Sequence, residues 1–384
     1  MSLIFRQIEK SIKKDTEEWP IVAILGPRQC GKSTLSKQLL SEYDNTIYID
    51  LELPSDLAKL DDAEWFLRSQ KGKLICIDEI QRKPELFPLL RSLVDENDGD
   101  SHIIILGSAS RDLIKQSSES LAGRVVYHSL TPFLYNEVND ISSISEYIFK
   151  GGFPRSLLGS NDFSIKWRKS FIETYLERDL KFWRNFVPTT MRRLWIMLAN
   201  NNGQLLNCST MAKALDMSSV TIRHYIDLLT ETYMVIQVEP YMANTNKRIT
   251  KSPKVYIADS GITATLLSLN SFESVYHHQV FGSIWEQIVL TTIKGNFPDV
   301  AVYFYRTVAG SEMDFVLEYG DTIICIECKS SSSPILHRGT YESIKDIKPT
   351  HTLVVAMVEK GWEYKPEITV VSLLEMIERL RAYF

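Results

Sequence analysis

Long apolar runs are missing from this 384-residue chain. None reaches the length of a membrane-spanning helix, so no membrane partner is expected. The opening residues, Met1 to Lys10, have neither the apolar core nor the small-residue cleavage site of a secretory leader, so a cytoplasmic location is expected. Cysteine is scarce. The five present (Cys30, Cys76, Cys208, Cys325 and Cys328) are odd in number and scattered, which excludes a disulfide framework and predicts reduced thiols. Cys325 and Cys328 form a lone C-x-x-C in a strand-like stretch, with no second pair to complete a zinc site. A strong excess of one charge is also missing. The formal charge of −5 argues against a uniformly basic nucleic-acid coat. The distribution is uneven, however: Phe163 to Lys254 holds 14 Lys+Arg against 7 Asp+Glu. A basic middle in an acidic chain points to a localised polyanion site, with a solvated helical surface as the bland alternative.

What is present is an ordinary globular composition, 44% hydrophobic and 24% charged, in a length suited to two or three domains. Gly26-Pro27-Arg28-Gln29-Cys30-Gly31-Lys32-Ser33-Thr34 matches G-x-x-x-x-G-K-[ST]. The apolar run Ile21 to Leu25 precedes it, and residues with helical spacing follow. In that setting the glycines let backbone N–H groups wrap phosphates, and the new helix turns the positive end of its dipole toward them. Lys32 is expected on the β- and γ-phosphates of ATP and Ser33 on Mg²⁺. Lys73 to Ile80 is an apolar strand ending in two acids. Asp78 is expected to hold the same Mg²⁺, and Glu79 to act as base for the attacking water. His102 to Ser108 is a further strand. The alternation of strands and helices predicts a parallel α/β sheet whose carboxyl ends gather one site.

This order resembles the AAA+ branch of P-loop ATPases. The resemblance implies a sensor role for Ser108 and an arginine finger for a neighbouring copy at Arg124, with Arg111 as runner-up. It also implies a γ-phosphate contact for Arg155, after Gly151-Gly152-Phe153-Pro154. A solvent-facing Arg124 and a plain Gly-Pro turn at Arg155 are the alternatives.

Farther on, Cys208 to Leu215 and Ser219 to Leu229 read as a helix-turn-helix, and two strands around a basic segment read as a wing. Ser219, Thr221, Arg223 and His224 would meet a DNA groove, and Lys247, Arg248 and Lys251 its phosphates. In the last quarter, Asp314 and Glu327-Cys328-Lys329 have the spacing of a PD-(D/E)XK nuclease core. On adjacent strands Asp314, Glu327 and a helical Glu286 would hold Mg²⁺ or Mn²⁺, and Lys329 would assist the water. A retained fold used only for binding is the competing reading.

The phrases Gly26-Pro27-Arg28-Gln29, Asp78-Glu79-Ile80-Gln81, Tyr175-Leu176-Glu177-Arg178-Asp179, Lys251-Ser252-Pro253-Lys254 and Tyr305-Arg306-Thr307 resemble a widespread prokaryotic family. It joins an AAA+ core to an endonuclease-like domain of unknown function. The resulting expectation has four parts: an AAA+ core (1–138), a helical lid (139–200), a winged helix (201–262) and a PD-(D/E)XK-like α/β domain (263–384). The expected function is an oligomeric ATPase acting on DNA, branched DNA included, with a metal-dependent nuclease. The alternative is a non-nucleolytic ATP switch or protein remodeller whose C-terminal modules bind partners.

Overall fold

The computed structural model describes residues 4–96, 102–108, 121–176, 187–242 and 247–384. They form two compact units, Met1–Phe133 with Glu231–Tyr233, and Leu134–Thr230 with Met234–Phe384.

In the first unit, strands and helices alternate: α1 (Glu9–Glu18), β1 (Ile21–Gly26), α2 (Lys32–Leu40), β2 (Thr46–Asp50), α3 (Pro54–Lys59), α4 (Ala63–Ser69), β3 (Leu74–Asp78), α5 (Leu86–Glu96), β4 (Ile103–Ser108) and β5 (Val125–Ser129). The five strands are all parallel, in the order β2-β3-β4-β1-β5. Every residue of β1 and β3 is buried, which is why these strands read as unbroken apolar runs rather than alternating ones. Because each crossover returns the chain to the same edge, the carboxyl ends of all five strands line up. Gly26 at the end of β1 pairs in register with Ser108 at the end of β4. Ala23, Ile77 and Ile105 fill one face of the sheet with Leu90 of α5, and Val22, Cys76 and Ile104 fill the other with Leu35 of α2.

The second unit begins with helices α6 (Tyr135–Val138), α7 (Ile144–Lys150), α8 (Pro154–Leu157), α9 (Asn161–Thr174) and α10 (Pro188–Asn200). Phe153, Trp167, Phe171, Tyr175 and Trp195 stack through their core. Then come β6 (Gln204–Leu205), α11 (Cys208–Leu215), α12 (Ser219–Glu231), β7 (Val235–Pro240) and β8 (Lys254–Ile257). They are followed by α13 (Ser260–Leu266), α14 (Phe272–Tyr276), α15 (Phe281–Asn296), β9 (Ala301–Arg306), β10 (Glu312–Tyr319), β11 (Thr322–Lys329), α16 (Arg338–Ile347), β12 (His351–Ala356), β13 (Trp362–Lys365), β14 (Ile368–Val371) and α17 (Leu373–Arg381).

The expected wing and the expected C-terminal domain share one sheet, in the order β13-β14-β12-β11-β10-β9-β7-β8-β6. Strand β7 joins them by pairing parallel to β9, Glu239 with Tyr303 and Pro240 with Phe304. The segment before β8 is fixed as well: Ile249 bridges Thr307, and the Thr250 N–H donates to the Arg306 carbonyl at 3.0 Å. The wing expected from the sequence is therefore built into a sheet of nine strands, and the division at 262–263 falls inside the second unit. Among the described residues no helix is long and apolar enough to cross a membrane.

Candidate functional site

The carboxyl edge of the first sheet collects the predicted phosphate loop and both acids. Gly26 is required by packing: a Cβ there would stand 2.2 Å from the Leu130 carbonyl oxygen. Gly31, at φ +107°, takes a backbone region that other residues resist, and it starts α2. Gln29 adopts φ +62° at the exposed crest of the loop, beside half-buried Arg28 and exposed Thr34. Cys30 is fully buried beneath the loop, and its thiol reaches the Leu130 carbonyl at 3.5 Å.

Lys32 is 6% exposed, and its Nζ donates to the carbonyls of Gly26 and Pro27 at 3.0 and 2.9 Å. A buried ammonium hydrogen-bonded to neutral carbonyls is suited to receive an anion. Ser33 Oγ donates to Asp78 Oδ2 at 2.6 Å. The hydroxyl and the carboxylate are hard oxygen donors, and together with phosphate oxygens they fit Mg²⁺. The other Asp78 oxygen accepts the Glu79 N–H at 2.8 Å. Glu79 sits at φ +56°, a costly backbone position for a residue with a side chain. Burial pushes the Glu79 carboxyl above its ordinary range, while Lys32 and Arg28 pull it back.

Three residues outside the predicted set complete this edge. The Tyr48 phenol, on β2, donates to Asp78 Oδ2, and burial followed by that contact pushes its pKa upward. The Gln81 amide donates to Glu79 and, at 3.0 Å, to Ser108 Oγ, so the expected base and sensor share one neighbour. Arg6, 5% exposed, donates to the carbonyls of Cys30 (3.3 Å) and Thr131 (2.7 Å) and props the loop from behind. Gln81 stood within the Asp-Glu-Ile-Gln phrase, but Tyr48 and Arg6 carried no local signal.

Arg124 is placed differently. Its carbonyl accepts from the Ile21 N–H at the amino edge of the sheet, roughly 16 Å by strand rise (~3.3 Å per residue) from the loop of its own chain. Its guanidinium forks onto Asp95, with Nη2 at 3.0 Å from Oδ2. Arg111 lies outside the described residues, as do Glu177, Arg178 and Asp179.

In the second unit, Arg155 is exposed on α8. The glycines before it serve a joint. The Gly152 N–H donates to Asp259 Oδ2 at 2.7 Å, and Asp259 also caps α13 through the Ile262 N–H at 2.9 Å. On α12, Ser219, Arg223 and His224 are exposed, and Thr221 is half-buried and bonded to Ser218 Oγ at 2.8 Å. Arg223 pairs with Asp227 at 3.3 Å and Lys247 with Asp346 at 2.7 Å, while Arg248 and Lys251 are exposed.

The acids of the expected nuclease core do come close, but around a lysine. Lys254 Nζ lies 2.8 Å from Glu312 Oε1, 3.7 Å from Asp314 Oδ1 and 3.9 Å from Glu286 Oε2. Glu286 also accepts from the Tyr256 phenol at 3.0 Å, and Asp314 from the Cys328 N–H at 2.8 Å. Glu327 is bonded to Lys329 at 2.7 Å and to Thr340 at 3.3 Å. Burial, reinforced by Asp314, pushes Glu286 up to about 8 and Glu327 up to about 7. Among the described residues, no group of three or more His, Cys, Asp or Glu is arranged to hold a metal ion. The expected metal set of Glu286, Asp314 and Glu327 is not such a group: ammonium groups stand against its carboxylates, Lys254 by Glu286 and Asp314 and Lys329 by Glu327.

Comparison with known proteins divides the chain similarly. A family described as "AAA domain" matches residues 18–139, and two domains of unknown function, DUF8612 and DUF4143, match 141–273 and 281–376. The Walker-type ATPase PABY2304 of Pyrococcus abyssi superposes with a TM-score of 0.49 and 17% identity, covering 69% of this chain and 96% of that one. An uncharacterized protein of Methanocaldococcus jannaschii is 25% identical over 401 residues, covering 93% of this chain and 86% of its own. An uncharacterized protein of Mycobacterium tuberculosis is 36% identical over 352 residues, covering 91% of this chain and 79% of its own. At that identity and coverage, this chain belongs to the family of the mycobacterial protein, and its first unit is an AAA-type P-loop ATPase domain.

Proposed function

We propose that this protein hydrolyses ATP at the carboxyl edge of its first sheet and that the turnover acts on DNA without cutting it. The observation that carries the ATPase reading is the set of Lys32, Ser33, Asp78 and Glu79 at one sheet edge, with the buried Lys32 ammonium bonded to the Gly26 and Pro27 carbonyls. Lys32 would leave those carbonyls for the β- and γ-phosphates. Mg²⁺ would supply charge neutralisation at the same phosphates. Ser33 and Asp78 would hold that ion, Glu79 would orient the attacking water, and Ser108 with Gln81 would fix the angle of Glu79.

DNA as the partner is supported by the exposed side chains of Ser219 and His224 on α12 and of Arg248 and Lys251 before β8. Arg223 and Lys247 contribute less, because carboxylates of the same chain already answer them. The non-nucleolytic reading is favoured by the acid cluster, whose members are bonded to Lys254, Tyr256, Lys329 and Thr340.

The test is ATP turnover by the full chain with single-stranded, duplex and branched DNA. Lys32→Ala is expected to abolish hydrolysis. DNA is expected to stimulate the wild type several-fold, and Arg248→Glu with Lys251→Glu to remove the stimulation. Hydrolysis that no DNA stimulates would sink the DNA half, and undiminished turnover in Lys32→Ala would sink the whole.

A further inference from the structure

We infer that Lys254 is the resident counter-ion of the acid cluster in the second unit, standing against Asp314 and Glu286, two of the three carboxylates expected to hold a divalent metal. The inference is independent of the ATP site.

Three observations carry it. The first is geometry. One ammonium lies within 4 Å of carboxylate oxygens of three residues on two elements, Glu286 on α15 and Glu312 and Asp314 on β10. At 2.8 Å from Glu312 it makes an ordinary charge-assisted hydrogen bond. A Mg²⁺ ion needs oxygens at about 2.1 Å in octahedral array, and the ammonium fills the space between them.

The second is confinement. The Lys254 side chain is 2% exposed, and its Nζ lies 5.6 Å from the centroid of the Phe304 ring. Its backbone is paired on both sides, with Leu205 of β6 and Val238 of β7. A central strand cannot swing aside to admit an ion. Gly203, at φ +74°, closes over Glu286, since a Cβ there would stand 3.2 Å from Oε2.

The third is the hydrogen bonding of the carboxylates. One oxygen of each carboxylate is already an acceptor: Asp314 Oδ2 from the Cys328 N–H, Glu286 Oε2 from Tyr256, and Glu327 Oε1 from Lys329 and Thr340. The lysine comes from β8, in the half of the sheet that the sequence assigned to a wing. The same ion set therefore ties the two halves of the nine-stranded sheet together.

The experiment uses the full chain without nucleotide, carrying Asp78→Asn to silence the phosphate-loop acid. Mn²⁺ binding is read by electron paramagnetic resonance, and thermal melting is followed in parallel. No Mn²⁺ bound, with no change in melting on adding Mn²⁺ or EDTA, is the expected result. One Mn²⁺ per chain, lost on Asp314→Asn, overturns the inference, as does Mn²⁺-dependent DNA cleavage that Asp314→Asn abolishes. Lys254→Met is expected to lower the melting temperature by roughly 10 °C, because it strands buried carboxylates. Adding Glu286→Gln to Lys254→Met should recover much of that loss. A Lys254→Met chain that melts like the wild type overturns the counter-ion role.

Discussion

A phenol bonded to a carboxylate that is proposed to hold a metal fixes where that carboxylate points. Tyr48 does this to Asp78, on the oxygen that also meets Ser33. A hydrogen bond to a charged group is worth about 1.5–3 kcal/mol, so Tyr48→Phe is expected to raise the Mg²⁺ concentration for half-maximal ATP turnover roughly tenfold. Turnover at saturating Mg²⁺ should change less. A Mg²⁺ titration of hydrolysis checks this, and an unshifted titration would show that Asp78 is oriented without the phenol. At this scale the sequence spoke clearly for Lys32 and Ser33 and for Asp78 and Glu79, because each of the two motifs keeps its own residues within a few positions. Tyr48 was silent because its contact depends on β2 lying beside β3, which no local pattern records. Lys254 stood within the Lys251-Ser252-Pro253-Lys254 phrase, but its contact with the acids was silent for the same reason: it stands 32 positions before Glu286 and 60 before Asp314.

Elements show the same division. The turn Gly151-Gly152-Phe153-Pro154 reads as a motif, and its glycines serve a joint between α7 and α13. Gly261, in the first turn of α13, is packed so tightly that a Cβ would lie 2.2 Å from the Lys150 carbonyl oxygen. Arg168, 1% exposed, donates to the Phe149 and Gly261 carbonyls at 2.6 and 2.7 Å, and burial lowers its pKa to about 10. Gly261→Ala must push these helices apart, and a loss of about 2–4 kcal/mol is expected from overpacking and strained hydrogen bonds. Thermal or urea unfolding measures it, and a stability within 0.5 kcal/mol of wild type (about the noise of a neutral surface change) would refute the joint. The wing was legible only in part at this scale too, since its two strands do pair antiparallel. Two short strands around a basic loop have the local pattern of a hairpin, and only the pairing of β7 with β9 reveals that they continue a larger sheet.

For the whole molecule, Arg124 poses the question of assembly. It stands at the amino edge of the sheet, away from its own phosphate loop, and its fork is occupied by Asp95. If a neighbouring copy supplies its site to this arginine, turnover per chain should rise with protein concentration. Arg124→Ala should then lower turnover on the order of 10³-fold, the scale of an arginine finger. Mixing Arg124→Ala chains, which keep an intact loop, with Lys32→Ala chains, which keep the arginine, should restore activity above the sum of the two. Additive activity in the mixture would leave Arg124 a surface ion pair with Asp95.

The sequence by itself determined the parallel α/β core, the phosphate loop and the pair of acids. Those features follow from contiguous apolar runs, glycine geometry and motif spacing, all of which are local. Tertiary structure alone decided that the wing strands and the last domain form one sheet, that Arg124 is forked onto Asp95, and that a lysine sits among the C-terminal acids. Each of these depends on which distant strands become neighbours. Strand pairing is set by global packing, and the charge that a carboxylate meets is set by whatever that packing brings within a few ångströms of it.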